Sequence, residues 1–329
     1  MVSIGVLGTG AYVPERVVTN EDIASLVTDA TPEWIVRRTG ILARRWAAPD
    51  QATSDLAARA ARRALDAAGC DADRVDYLIV STSTGDHPQP PTSCLVQHLI
   101  AAPGAACFDL NVVCAGFVYG VELARALVTA NRGTRALVIG ADLYSRILDF
   151  TDRRTSVLLG DGAGAVLIGE VAEEHGIMAT GLSSYGHASD LIKVVAGGSR
   201  FPVSERTVAD GQHFFTMDGR GVRDFVMRGL PELLEKLVAD AGLDPADVDC
   251  FVPHQANGVL LRELVMKCSL QDAYTSVVVD RYGNLGSASV PVALDDAVRS
   301  GHLATGDLVL LSGFGGGMSV ANCLVRWSA

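Results

Sequence analysis

The sequence predicts a layered α/β protein made of two like halves, α/β/α/β/α in section, with the first half at residues 1–172 and the second at 173–329. Three observations carry this. The segment AGCDADRVDYLIV, starting at Ala68, reappears as AGLDPADVDCFVP, starting at Ala241, an offset of 173 residues. At the same offset Asp76 meets Asp249, Ala115 meets Ala288, Ala124 meets Ala297, Gly133 meets Gly306 and Gly140 meets Gly313. The register holds without a gap from Ala68 to Gly140, which is a duplication and not a chance match.

Each half then reads as helices alternating with strands. SDLAARAARRALDAAG places apolar residues at helical spacing. VDYLIVSTS follows as a short apolar strand. The run FDLNVV leads into Cys114 and a second helical pattern, and RALVIGA is another apolar strand. The second half repeats the sequence of events with LPELLEKLVADAG, VDCFVPH, a helix near Ser289, and DLVLLSG. Strands apolar on both faces, separated by helices, imply sheets covered on both sides. Loops at matching strand ends of two such halves meet near a pseudo-two-fold axis.

Composition narrows the function. The 329 residues are 49% hydrophobic and 20% charged, enough for a large core and two subdomains. A formal charge of −11 without any basic block argues against nucleic acid and anionic membranes as partners. No stretch reads as long and uninterrupted enough to span a bilayer, and the start, MVSIGVLGTGAYVP, shows no secretory leader. Seven scattered cysteines, an odd number without a CxxC pair, fit a reducing cytoplasm better than a disulfide framework or a zinc site. The other histidines show no metal-ligand spacing, so no metal is expected.

Cys114 is the first candidate for chemistry. A thiol between a strand and a helix N-terminus feels the positive helix end, which favours the reactive thiolate. Backbone N–H groups there can hold an oxyanion when a thioester carbonyl is attacked. The bland reading is a small buried hydrophobe, to which the other six cysteines are assigned. The repeat places Ser287 opposite Cys114, brings His254 and Asn257 in from PHQAN, and brings Gly313, Gly315, Gly316 and Gly317 in from GFGGG. Asn284, in YGN, reads either as a site residue or as a turn residue tolerant of left-handed backbone. GTGAYV at Gly8 lacks the third glycine and acidic partner of a dinucleotide loop. GDGAGA at Gly160 reads as close strand–helix packing.

With these residues in place, the chain resembles the β-ketoacyl-acyl-carrier-protein synthase III family, of the thiolase-like superfamily, over nearly its whole length. The resemblance rests on EWIVRRTGI, CAGF, GDGAGA, PHQAN, YGN and FGGG, in family order. It implies that Cys114 takes an acyl group from a thioester and that His254 and Asn284 complete a Cys-His-Asn set. Both can donate hydrogen bonds to a carbonyl oxygen on which enolate charge develops. It implies an oxyanion hole from the N–H groups of Cys114 and Gly316. Trp34, Arg38 and Arg153 match coenzyme A contacts, and Asn257 is taken with them. No tightly bound cofactor is implied; an acyl-coenzyme A or acyl-carrier-protein thioester is the substrate. A homodimer paired through the first-half sheet is implied as well.

Three departures from the family bear on partner and product. Basic residues that dock an acidic carrier protein are replaced by Val259, Asp224 and the pair Met266-Lys267, with Arg223, Arg262 and Lys267 left to compensate. Docking of that kind relies on charge steering. In DHPQPPTS an aromatic that closes the partner's acyl pocket is replaced by Pro90, and NLGSAS replaces NTSAAS beside Asn284. The expectation is a ketosynthase III-like acyltransferase that passes its acyl group to a small-molecule acceptor, an alcohol or amine, in a specialised pathway. The alternative is decarboxylative condensation with a malonyl thioester. A structural subunit is disfavoured because Cys114 is retained.

Overall fold

In the computed structural model, which describes residues 2–329, the duplication becomes visible as topology. The first five-stranded sheet runs Val2–Tyr12, Asp161–Ala172, Ala136–Leu143, Tyr77–Ser81, Ala106–Leu110 in spatial order. The second runs Gly176–Ser184, Ser319–Arg326, Leu308–Gly315, Cys250–Pro253, Tyr274–Thr275. Position by position the two orders correspond. In each sheet the first two pairings are antiparallel and the last two parallel. The first sheet draws all its strands from residues before 173 and the second all of its strands from residues after it.

Helices Gly116–Ala130 and Ser289–Arg299 lie between the sheets. Phe117, Val118, Val121 and Ala124 of the one meet Val290, Ala293, Leu294 and Ala297 of the other. Ile79 and Val138 of the first sheet and Val252, Val309 and Leu311 of the second complete that cluster. Helix Thr53–Ala67 covers the outer face of the first sheet through Leu56, Ala57, Ala60, Ala61 and Ala64. Helix Gly219–Asp240 covers the second with Val226, Leu230, Leu234 and Leu237, joined by Leu260 and Leu264 of helix Gly258–Lys267. The five expected layers follow.

Two expectations need correction. The segment Val113–Ala130 is long and apolar enough, by length and composition, to cross a bilayer. It is half buried inside the fold, because a helix sandwiched between two sheets is apolar on most of its circumference. Nor do all six remaining cysteines serve as packing. Cys250, Cys268 and Cys323 are buried, Cys70 and Cys107 are half-buried, and Cys94 is exposed.

Candidate active site

Residues of both halves line a cavity of about 970 Å³. That is the size of pockets that enclose small ligands. Its lining includes Cys114, His254 and Asn284 at one end and Trp34, Arg38, Arg153 and Asn257 among the rest. Seven of the predicted residues are therefore brought to one space.

Cys114 sits in the single turn Val113–Ala115, just ahead of helix Gly116–Ala130, and is 7% exposed. The preceding Val113 has φ of +47°, a conformation that costs a β-branched residue strain. This sharp elbow puts the sulfur where strand and helix meet. The expectation of a thiolate does not hold in the resting site. Burial pushes the thiol well above its ordinary value, and the charge of Asp142 pushes further, against a smaller opposing pull from a backbone hydrogen bond. Desolvation outweighs the helix terminus here, so the nucleophile waits as a neutral thiol.

His254 follows strand Cys250–Pro253, and its backbone N–H donates to Ser312 O at 2.7 Å. Gln255 behind it is fully buried and satisfied on both sides. It donates to Pro253 O and Ser276 O at 2.9 and 3.0 Å and accepts from the N–H groups of Val278 and Val279 at 2.9 and 3.2 Å. That clamp fixes the loop, a role the sequence did not reveal. The His254 ring stands edge-on to Phe314, with centroids 5.2 Å apart. Burial holds the imidazole down to about 3, so it is neutral at physiological pH. Its Nδ1 is sealed from solvent and without a partner, which leaves Nε2 as the nitrogen available to the cavity.

Asn284 is tied through its backbone to Leu158 O and Gly160 N–H, both at 2.9 Å. Its Oδ1 accepts from Gly286 N–H at 2.9 Å. With the oxygen engaged, the amide offers its NH₂ to the cavity, a donor suited to a carbonyl oxygen gaining charge. Asn284 lines the cavity, and the left-handed turn conformation is not adopted: it forms a bridge with Leu159 and has no positive φ. Asn257 behaves similarly: its Oδ1 caps helix Gly258–Lys267 through Leu260 N–H at 2.8 Å.

Gly315, at the end of strand Leu308–Gly315, approaches Cys114 most closely. A Cβ there would lie 2.7 Å from Cys114 Cβ and 3.0 Å from its sulfur. Gly315→Ala is expected to slow acylation of Cys114 at least a hundredfold while leaving the circular dichroism spectrum unchanged. Acylation at the parent rate, read by intact-protein mass, would refute the need for that contact. Gly316, the expected oxyanion donor, follows in the turn and packs beside Val113.

At the mouth, the Arg153 guanidinium lies over the Trp34 ring at 4.9 Å and donates to Asp29 O. Arg38 and Arg220 add positive charge around them, whereas Arg154 is paired with Asp152 at 2.8 Å. Planar and cationic groups of this kind suit a nucleotide carrying phosphates. Pro90 is different. It is exposed on the loop before helix Thr92–Ile100 and does not line this chain's cavity. Tyr144 and Phe215, which the sequence did not single out, do line it, packed edge to face at 5.5 Å.

Comparison with known proteins meets this geometry. The description 3-Oxoacyl-[acyl-carrier-protein (ACP)] synthase III matches residues 108–186, and its C-terminal counterpart matches residues 238–327. The chain is 49% identical over 329 residues to the acetoacetyl CoA synthase NphT7 of Streptomyces sp. (strain CL190), covering 99% of each. It is 43% identical to a β-ketoacyl-[acyl-carrier-protein] synthase III of Desulfitobacterium hafniense, covering 100% of this chain and 99% of the other. The crystal structure of the synthase III of Thermus thermophilus superposes with a TM-score of 0.91 at 39% identity, covering 98% and 99% of the two chains. A buried thiol on an elbow, a histidine and an asparagine lining the same cavity, and identity of this extent lead to one conclusion: the chain belongs to the β-ketoacyl-acyl-carrier-protein synthase III family of acyl-transferring enzymes.

Proposed function

We propose that this enzyme condenses an acyl group from acyl-coenzyme A with a malonyl unit that is itself carried on coenzyme A. The observation behind the choice of carrier is the state of the cations left near helix Gly258–Lys267. Arg223 is paired with Glu263 at 2.6 Å and lies 3.9 Å from Asp224. Lys267 donates to Met227 O. Arg228 faces Asp224 at 3.9 Å. Of the three residues that would compensate for the lost docking charges, only Arg262 makes no ion pair or hydrogen bond among the described residues. Cations already engaged contribute little steering to an acidic carrier protein. The acetoacetyl CoA synthase of Streptomyces, with 49% identity, is named for a coenzyme A product, which supports the same reading.

The steps follow from the groups in the cavity. Cys114 sulfur attacks the acyl carbonyl; its bond to the coenzyme A sulfur breaks, and the thiol proton goes to that sulfur. The malonyl thioester then enters. Its carbon–carbon bond to the carboxylate breaks, carbon dioxide leaves, and the electron pair moves into the thioester carbonyl. His254 Nε2–H and the Asn284 NH₂ donate to that oxygen, where dry surroundings make each donor count for more. The enolate carbon attacks the acyl carbonyl, the N–H groups of Cys114 and Gly316 hold the oxyanion, and Cys114 leaves as thiolate and regains a proton. Trp34, Arg38, Arg153 and Asn257 hold the coenzyme A portion, and no tightly bound cofactor is required. A second copy pairs along the half-exposed edge strand Ala106–Leu110 and brings its own Pro90 loop towards the neighbouring acyl pocket.

The test is carbon dioxide release from the acyl-enzyme with malonyl-coenzyme A and with malonyl-acyl carrier protein. At least tenfold higher kcat/KM with malonyl-coenzyme A is expected. The reverse preference would refute the carrier assignment. An acyl-enzyme that neither malonyl thioester discharges would favour transfer to an alcohol or amine.

A further inference from the structure

Asp142, near the end of strand Ala136–Leu143, is a fully buried carboxylate with no cationic partner among the described residues. A charge so placed is costly unless donors surround it. Here they come from both halves of the repeat. On one oxygen lie Ser83 N–H at 2.8 Å and the hydroxyls of Thr84, Ser83 and Thr82 at 3.0, 3.1 and 3.2 Å. On the other lies the N–H of Ser287 at 2.8 Å, with its hydroxyl also at 2.8 Å, whose single proton is shared with Ser81 O at the same distance. Ser287 is the residue that the repeat sets opposite Cys114.

The second oxygen reaches the segment that orients Asn284. Gly286, whose N–H holds Asn284 Oδ1, has φ of +59°, and a Cβ on it would fall 2.4 Å from Asp142 Oδ2 and 2.3 Å from the Tyr144 ring. The turn Asn284–Ser287 is therefore pressed against the carboxylate at Gly286 and bonded to it at Ser287. We infer that Asp142 is a positioning residue for the condensation step: by gripping Ser287 and seating Gly286 it fixes the direction in which the Asn284 amide presents its NH₂. The inference rests on the condensation reading above. It assigns Asp142 no contact with substrate and no proton transfer.

The test separates the two half-reactions and uses a double-mutant cycle. With Asp142→Asn, which also removes a charge that raises the Cys114 thiol, acylation of Cys114 by acyl-coenzyme A should not fall below the parent by more than about threefold, while decarboxylative condensation with malonyl-coenzyme A falls about a hundredfold. Placed on Asn284→Ala, the same change should add less than about threefold further loss, because the amide it orients is gone. Losses that multiply, or equal losses in both half-reactions, would overturn the role and reduce Asp142 to a general support of the fold. Should Asp142→Asn fail to fold, Ser287→Ala removes one hydroxyl from the same grip. It should slow condensation about tenfold with acylation unchanged, and the same cycle against Asn284→Ala applies. A parent enzyme that never releases carbon dioxide would refute the condensation reading and this role with it. An active parent with multiplicative losses would refute the role alone.

Discussion

Cys114→Ala is expected to abolish acyl-enzyme formation, with condensation falling by at least about ten-thousandfold and the fold intact. Cys114 is the cysteine lining the cavity, and on the Gly315 side the backbone leaves no room for another side chain beside its Cβ and sulfur. Removing the sulfur only enlarges a cavity that is already present, so the variant should melt within a few degrees of the parent. Intact-protein mass after incubation with acyl-coenzyme A decides the matter. An acyl adduct on the alanine variant would place the nucleophile elsewhere, and the half-buried Cys70 and Cys107 or the exposed Cys94 would be the first places to look.

His254→Ala should divide the reaction. Acylation is expected to stay within about threefold of the parent, while the malonyl step falls by about 10²- to 10⁴-fold, the range for removal of one well-placed donor or proton carrier. If acylation collapses instead, His254 serves chiefly to activate the thiol. The pH dependence follows from the same burial. With the folded ring titrating at about 3, no change in its ionisation should bend the malonyl step between about pH 5 and pH 8. The sign for stability is also fixed. An unfolded histidine takes up its proton near pH 6.5, whereas the folded one resists to about 3. The penalty therefore grows as pH falls through that window, and the alanine variant should be less acid-sensitive there. Rate profiles and denaturation midpoints measured across the window would check both statements.

Much of this site was legible before any coordinates, for a physical reason. A duplicated chain repeats its loops at equivalent strand ends, so the offset of 173 residues already set Cys114 and Ser287 opposite each other and drew in His254 and Asn284. Glycine runs announce close backbone contact, and GFGGG delivered it at Gly315. What the sequence concealed was environment. The helix terminus next to Cys114 argued for a thiolate, but desolvation is a property of the assembled layers and it prevails. Asp142 and Tyr144 carried no periodic or motif signal, because their importance lies in what surrounds them, and Gln255 sat inside PHQAN without its clamp on Ser276, Val278 and Val279 being visible. The segment Val113–Ala130 shows the same limit from the other side: it passes for a membrane span by length and composition despite Glu122 and Arg125, and the two sheets that enclose it show it to be a core helix.

The pairing of Cys114 with Ser287 has a further consequence. Two identical subunits meeting about a two-fold axis share every substitution, so a residue cannot become a latch at one site and remain a nucleophile at the other. Tandem fusion removes that constraint. Once both copies lie on one chain, each elbow can carry its own residue, a thiol at Cys114 and at Ser287 a hydroxyl beside a buried carboxylate. Covalent linkage is thus what permits the two elbows of this enzyme to differ.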